Sequence, residues 1–145
     1  MIFRRARRGD VPALARLLSE DRIGAHVPPD AGALIAAFDA LQAEARTSVI
    51  VGEADGEVIA CYQLTILTGL SLAAPVRGLL EGVRVAPRFR GAGIGSRLMA
   101  DAESRARAAG ATLLQFTSNA ARGRAHRFYA RLGYVASHTG VRKPL

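Results

Sequence analysis

Three glycines at alternate positions are the part of this sequence with the clearest chemistry. Gly91, Gly93 and Gly95 stand between a predicted strand and a predicted helix. Glycine adopts positive φ angles and lets backbone N–H groups approach a ligand closely. The helix that follows would add its unpaired N–H groups and the positive end of its dipole. Together these features predict a phosphate-binding loop.

The loop differs from the two best-known phosphate-binding motifs. It is not a P-loop, because no Gly-Lys-Ser/Thr follows, and Ser96 stands where the dinucleotide fingerprint needs a third glycine. A tight turn that binds nothing is the alternative interpretation. Arg88 and Arg90 beside the loop favour a ligand, because both guanidinium groups could face a polyphosphate.

The elements that position this loop follow from the hydrophobic periodicity. The first half predicts an edge strand over residues 2–6, a helix capped by Asp10, a loop over 21–29, a second helix from its cap Asp30 to about residue 45, and strands over 48–53 and 58–66 around an Asp55-Gly56 hairpin turn. The second half predicts a loop over 69–75, a strand over 79–86, a helix from Ile94 to Gly110, a strand over 112–117, a helix from about Ala121 to Gly133, and two short strands over 134–136 and 139–143. We expect an α/β (α+β) fold with one mixed, mostly antiparallel sheet of about six to seven strands and four flanking helices.

Length and composition predict one ordinary domain, residues 1–145. Apolar residues make up 50% of the chain and charged residues 22%, as in soluble globular proteins. The single cysteine, Cys61, excludes an internal disulfide, and no Cys/His cluster has zinc spacing, so no metal is expected. No apolar run reaches the roughly 18 residues of a membrane span, and no apolar signal region follows Met1. The expected location is the cytoplasm, without a membrane partner.

The net charge of +8 has three explanations. Of the 20 basic residues 19 are arginine, which fits the codon bias of a GC-rich, bacterial genome as well as a polyanionic ligand or a nucleic acid. A nucleic-acid-binding module predicts basic residues interleaved with exposed aromatics. Aromatic residues are only 6% of this chain, and Tyr62, Phe128 and Tyr129 lie on predicted apolar faces. We therefore expect no nucleic acid partner.

Two stretches resemble the GNAT superfamily of N-acetyltransferases. Val85-Ala86-Pro87-Arg88-Phe89-Arg90-Gly91-Ala92-Gly93-Ile94-Gly95 is similar to the family's acetyl-coenzyme-A signature, Arg/Gln-x-x-Gly-x-Gly/Ala after Val-x-Pro. The segment with Asn119, Ala125-His126-Arg127-Phe128-Tyr129 and Leu132-Gly133-Tyr134 resembles the family's Asn…Ala-x-x-Phe-Tyr-x-x-x-Gly-Phe, with Tyr134 in place of the usual Phe. The resemblance covers nearly the whole chain and is strongest over residues 79–134.

The resemblance implies that an amine directly attacks the thioester of acetyl-CoA and so receives its acetyl group. Backbone amides of residues 90–96, with Arg88 and Arg90, would hold the pyrophosphate, and a backbone N–H near Val83–Val85 would polarise the thioester carbonyl. Gly82 is expected to mark a bulge that frees the amides of that strand. The predicted cofactor-binding residues are Val83, Arg84, Val85, Arg88, Arg90, Gly91, Ala92, Gly93, Ile94, Gly95, Ser96, Asn119 and His126.

Glu81 and Tyr129 are the predicted catalytic pair. Glu81 in a mostly apolar strand would have its pKa raised by desolvation, towards a useful general base. The alternative is a structural ion pair with Arg77 or Arg84. Tyr129 is the predicted general acid, because the family's equivalent tyrosine lies near the CoA sulfur. Its alternative role is packing in the core.

The other polar residues of the last long helix have two interpretations each. Asn119 would contact the pantetheine arm or cap the helix, and His126 would bond the cofactor or Tyr129, or simply lie on the helix surface. Four arginines are expected on the outer face of this helix: Arg122, Arg124, Arg127 and Arg131. Of these, Arg124 or Arg127 would contact the CoA 3′-phosphate.

The expected acceptor is the primary amine of a small molecule. It would lie between the loops at about 21–32 and 68–78, and an anionic end would fit near Arg77 or Arg84. A peptide N-terminus fits nearly as well, so a peptide or protein N-acetyltransferase is the first alternative. A CoA-binding regulator without catalysis is the second. A homodimer is also expected.

Overall fold

The computed structural model describes residues 1–19, 30–70 and 75–144. Its strands are β1 (Ile2–Arg5), β2 (Thr47–Ala54), β3 (Glu57–Thr68), β4 (Val76–Val85) and β5 (Leu113–Gln115). Its helices are α1 (Val11–Ser19), α2 (Ala31–Ala43), α3 (Ile94–Ala108) and α4 (Gly123–Arg131). Short 3-10 turns at Arg8–Asp10 and Pro87–Phe89 precede α1 and the glycine loop.

The strands form one mixed sheet in chain order. The pairs β1–β2, β2–β3 and β3–β4 are antiparallel, and β4–β5 is parallel. The hairpin between β2 and β3 turns at Asp55 and Gly56, with φ of 50° and 78°, as the sequence predicted. The α/β class and the four helices are confirmed.

The expected strand count of six to seven is too high for the described residues, which form five. Residues 134–136 and 139–143 are not strands. The N–H of Ser137 bonds the carbonyl of Val135 at 3.0 Å, a tight turn that interrupts the extended chain. Val135 and Val141 are 81% and 90% exposed. The alternating apolar side chains of this segment therefore do not pack against the core.

The core lies on both faces of the sheet. Ile50, Tyr62, Leu64, Leu80, Leu98 and Met99 are buried on the face that packs against α3. Val11, Leu14, Leu17, Phe38, Val51 and Cys61 are buried on the face that packs against α1 and α2. Because successive side chains of a strand point to opposite faces, β2 and β3 each supply residues to both clusters.

The two predicted helix caps have different outcomes. Asp30 confirms its prediction: its Oδ2 atom accepts a hydrogen bond from the N–H of Gly32 at 3.1 Å. Asp10 does not cap α1, because its carboxylate accepts from the N–H of Arg7 at 2.7 Å, behind it in the chain. Asp10 also accepts from Arg4 at 2.7 Å, so it closes the 3-10 turn and ties that turn to β1.

A partly buried polar network, which the sequence pattern did not predict, joins β3, α3 and β1. The hydroxyl of Tyr62 donates to Asp101 Oδ2 at 2.5 Å, and Arg105 Nε donates to the same oxygen at 2.8 Å. Arg105 Nη2 then donates to the carbonyl of Phe3 at 3.1 Å. The network fixes α3 against the sheet and thereby positions the loop that leads into it.

Candidate active site

A bulge interrupts β4 in the middle of the sheet. Between two paired positions β4 contains one residue more than β3, so that Gly82 and Val83 stand opposite Tyr62. Gly82 has a φ of 58°, which a glycine adopts at little cost. The bulge that Gly82 was predicted to mark is therefore present.

Beyond the bulge, β4 has one open side. It pairs with β5 only over residues 77–79, and in the described chain no strand pairs on that side with the remainder. The N–H of Ala86 bonds Ile59 of β3 at 2.8 Å. Backbone groups alternate in direction along an antiparallel strand, so Val83 and Val85 direct theirs to the open side.

The glycine loop follows at the end of this strand. Arg90 Nε donates to the carbonyl of Val85 at 2.9 Å and so connects the loop to the strand. Gly91 and Gly93 have φ of 88° and 76°, and a Cβ built on either would meet no atom within 4 Å. The loop is thus a bare backbone surface facing open space, as close approach of a phosphate requires.

The start of α3 completes the loop. The first helical hydrogen bond runs from the N–H of Arg97 to the carbonyl of Gly93 at 3.2 Å, so the amides of residues 94–96 have no acceptor within the helix. Gly95 has a different role, because a Cβ there would lie 3.1 Å from the ring of Phe128. The absence of a side chain at Gly95 lets α4 approach α3. The segment around Phe128 and Tyr129 therefore lies next to the glycine loop.

Arg88 lies apart from the glycine loop. Its guanidinium forms an ion pair with Glu57 of β3 and lies 4.9 Å from the centroid of the Phe89 ring. Arg88 would have to leave this pair to reach a phosphate. Of the two arginines predicted to flank the loop, only Arg90 is hydrogen-bonded, among the described residues, to the end of β4, which leads into the loop.

Glu81 is exposed, which corrects the expectation of an apolar, desolvated setting. Its side chain projects on the α1/α2 face, where Gln63 Nε2 donates to Glu81 Oε2 at 3.2 Å. No ion pair joins Glu81 to Arg77 or Arg84 in the described chain. The structural alternative proposed for Glu81 therefore finds no support, and the carboxylate is accessible to a ligand or to water.

Tyr129 is half-buried in a group of aromatic rings. The ring centroids lie 4.5 Å from Phe116, 5.2 Å from Phe128 and 6.2 Å from Tyr134. Burial raises the pKa of Tyr129 above its ordinary value, while the guanidinium groups of Arg122 and Arg84 oppose that rise. The phenol therefore keeps its proton near neutral pH, as a general acid must.

Asn119 and His126 differ in how firmly they are placed. Asn119 Oδ1 accepts from the N–H of Ala121 at 2.9 Å, and its carbonyl accepts from the N–H of Arg122 at 3.0 Å. Asn119 thus shapes the turn that leads into α4, close to the second of its two predicted roles. His126 is exposed on α4, and its side chain makes no hydrogen bond to the described residues.

The arginines of α4 are not all on its outer face. Arg124, Arg127 and Arg131 are exposed, as expected. Arg122 is half-buried with its Nε atom shielded from solvent, which corrects its predicted place on the outside. Its guanidinium acts electrostatically on the Tyr129 hydroxyl and lowers the pKa of that group. The sequence pattern missed this because arginine spacing alone does not show which way a helix is rotated.

An apolar cavity of about 220 Å³ lies between α1, α2 and the sheet. Leu18 and Phe38 line one side, and Cys61, Gln63 and Gly82 line the floor, so the cavity reaches the bulge from the face opposite α3. The predicted acceptor loops at 21–32 and 68–78 lie partly outside the described residues, which omit 20–29 and 71–74.

Two absences concern the described residues alone. Their helices are too short or too polar to cross a membrane. They contain no group of three histidine, cysteine, aspartate or glutamate side chains arranged to hold a metal ion.

Sequence comparison identifies the family. Residues 11–134 match the Acetyltransferase (GNAT) family, so the chain belongs to it. The glycine loop, the bulged strand and Tyr129 all lie within the matched residues. The resemblance inferred from the two motifs is confirmed.

Individual relatives are consistent with this class. The chain is 42% identical over 91 residues to an aminoalkylphosphonate N-acetyltransferase of Salmonella typhimurium, a match that covers 63% of this chain and 58% of that protein. A solved transcriptional regulator of Bacillus halodurans is 30% identical with a TM-score of 0.92, covering 99% of each chain. A putative acetyltransferase of Agrobacterium tumefaciens is 25% identical with a TM-score of 0.87, covering 100% of each.

Proposed function

We propose that this protein transfers the acetyl group of acetyl-CoA to the primary amine of a small molecule that also bears an anionic group. The observation that carries the proposal is the continuity of β4, the glycine loop and α3. A strand whose N–H groups are directed to an unpaired side leads directly into the glycine loop and the start of a helix. Membership of the GNAT family supports the same donor.

The backbone would hold the cofactor. Amides of residues 91–96 suit the pyrophosphate, since Gly91 and Gly93 have open space beside them and the loop lies at the positive end of the α3 dipole. The N–H groups of Val83 and Val85, directed to the open side of β4, suit a carbonyl oxygen on which negative charge develops. Bound acetyl-CoA supplies the activated acetyl group as a thioester.

Two side chains would handle the protons. The exposed carboxylate of Glu81 accepts a proton from the amine nitrogen, directly or through a water molecule, so that the nitrogen gains a free electron pair. The hydroxyl of Tyr129 gives its proton to the leaving sulfur. Arg84 stands three residues after Glu81 on β4 and influences the Tyr129 hydroxyl electrostatically. The same short stretch of β4 therefore carries the proposed base, Glu81, and a charge that acts on the proposed acid, Tyr129.

An anionic group on the acceptor fits the charge of this chain. Arg77 lies on the same face of β4 as Glu81, and its Nε and Nη1 atoms are buried without a hydrogen-bond acceptor in the described chain. Buried guanidinium donors are usually paired, so an anionic ligand group would complete this one. The relative from Salmonella, named for aminoalkylphosphonates, supports this class of acceptor.

The test is a screen for acetyl-CoA-dependent thiol release with matched acceptors. Aminoalkylphosphonates are compared with alkylamines of the same length, with amino acids and with peptides. We expect the anionic amines to react best, and Arg77→Gln to raise their KM while leaving that of neutral amines unchanged. Preference for peptides would favour the alternative of a peptide acetyltransferase. CoA binding without thiol release from any amine would favour a regulator, the description carried by the Bacillus structure.

The proton-transfer roles are tested by two substitutions that preserve shape. Tyr129→Phe should lower kcat by about 10²–10⁴-fold, the usual contribution of a general acid, with CoA affinity unchanged. Glu81→Gln should lower kcat/KM most at low pH, where the amine is protonated, and should recover at high pH. A Glu81→Gln profile with the wild-type shape would remove Glu81 from the mechanism.

A further inference from the structure

The N-cap residue of α4, Arg122, differs in burial from the arginines inside the helix. Arg122 is half-buried, whereas Arg124, Arg127 and Arg131 are exposed. Its backbone is held at both ends, because its N–H bonds Asn119 at 3.0 Å and its carbonyl accepts from His126 N–H at 3.0 Å. The backbone of Arg122 is therefore fixed at the start of the helix.

Arg122 is the N-cap residue of α4, and Tyr129 lies inside the helix. They are seven residues apart, close to two full turns of 3.6 residues each. Side chains of a helix lean towards its N-terminus, so the long tyrosine side chain extends back towards Arg122. This geometry explains how a guanidinium at the beginning of the helix influences a hydroxyl that belongs to its end.

Aromatic rings contact the ring of Tyr129, and positive charges act on its hydroxyl. Phe116, Phe128 and Tyr134 supply rings, while Arg122 from α4 and Arg84 from β4 supply the charges that act on it. The carboxylate of Glu103 on α3 accepts a hydrogen bond from the Tyr134 hydroxyl at 2.9 Å. Arg122 and Arg84 both lower the pKa of the Tyr129 hydroxyl, as nearby positive charges do.

We propose that Arg122 is a positioning residue for the general acid, and that its guanidinium stabilises the phenolate oxygen left on Tyr129 after proton donation. In that step the O–H bond of Tyr129 breaks and an S–H bond forms on the CoA sulfur. The electron pair of the broken bond stays on the phenol oxygen, which regains a proton from water before the next turnover. The inference rests on the proposed function, because it takes Tyr129 as the acid.

Nuclear magnetic resonance of ring-labelled tyrosine tests the coupling without any enzymatic activity. The chain has three tyrosines, and Tyr→Phe variants assign each signal. We expect Arg122→Gln to raise the titration midpoint of Tyr129 by about one pH unit, as loss of a nearby opposite charge does. Arg122→Lys should preserve most of the wild-type value. Arg124→Gln is the matched control, because it removes an exposed charge from the same helix, and it should leave Tyr129 unchanged.

Kinetics provide the second readout. Arg122→Gln should lower kcat roughly tenfold, in line with a one-unit weaker acid, and should move the descending alkaline limb of kcat to higher pH. The KM for acetyl-CoA should not change. Combined with Tyr129→Phe, Arg122→Gln should add no further loss, because its effect passes through the missing hydroxyl. If the protein unfolds at alkaline pH before Tyr129 titrates, the titration midpoint cannot be measured. The double variant then tests the role of Arg122 instead.

Three outcomes separate the inference from the proposed function. An unchanged Tyr129 midpoint in folded Arg122→Gln, or additive losses in the double variant, overturns the role of Arg122. A raised KM for acetyl-CoA with an unchanged midpoint also overturns it and assigns the guanidinium to cofactor binding. A shifted midpoint in a protein that acetylates no amine supports the coupling and overturns only the proposed function.

Discussion

Replacing Gly93 with aspartate and with asparagine isolates the effect of one charge at the start of α3. Gly93 is the N-cap residue of α3 with a φ of 76°, and a Cβ there has open space around it. Asparagine and aspartate tolerate left-handed φ better than other side chains, and both are preferred N-caps. The two variants should therefore fold equally well apart from the charge.

The charge should act in opposite directions on stability and on binding. A carboxylate at the positive end of the helix dipole should make Gly93→Asp about 0.3–1 kcal/mol more stable than Gly93→Asn. A phosphate about 8 Å from that carboxylate, at an effective dielectric constant of about 20, is repelled by roughly 2 kcal/mol per charge. Two charges of a pyrophosphate give about 4 kcal/mol, or roughly a thousandfold weaker binding of CoA.

Calorimetric titration with CoA and thermal unfolding measure the two effects separately. We expect Gly93→Asn to bind CoA within about tenfold of wild type and Gly93→Asp to lose about a thousandfold, a difference that narrows as salt screens the charges. Equal CoA affinity of the two folded variants would refute the placement of the phosphates at this loop. Loss of binding in both would show that the side chain itself, and not its charge, blocks the site.

Two further predictions concern residues away from the chemistry. Burial raises the pKa of the Cys61 thiol from 9.0 to about 12, so native Cys61 should react with a thiol reagent at least about a thousandfold more slowly than the unfolded chain, measured by disulfide exchange. The hydrogen bond from Arg4 holds the pKa of Asp10 below its ordinary value of 3.8. The stability that Asp10 contributes is therefore present above about pH 4 and is lost as the pH falls through its lower folded pKa, so Asp10→Asn should flatten this part of the unfolding free-energy profile measured in urea.

The parts of the fold predicted well are those set by neighbours in sequence. The Asp55-Gly56 hairpin, the Asp30 cap and the alternation of β3 depend on residues within a few positions of one another. The two last strands failed for the opposite reason. Alternation predicts a strand only where one face finds a core, and the segment around Val135 and Val141 faces none.

The same distinction holds at the site. The glycine loop and the bulge at Gly82 were predictable because glycine at these positions has a local, conformational reason. The surroundings of Glu81 were not, because its hydrogen-bond partner Gln63 comes from another strand. The ion pair of Arg88 was not predictable for a similar reason, since its partner Glu57 stands 31 positions earlier in the chain.

The bulge explains why one strand can serve two faces of the sheet at the site. Along a regular strand, residues three apart point to opposite faces. The extra residue at Gly82 shifts this alternation, so that Glu81 and Arg84 both project towards α1 and α2, opposite Gln63 and Cys61 of β3. Leu80 and Val83 in turn both pack towards α3. Without the bulge, either Glu81 or Arg84 would have to enter the core. The distortion at one glycine therefore keeps a carboxylate and a guanidinium together on the α1/α2 face of β4, while the N–H groups of Val83 and Val85 are directed to its open side.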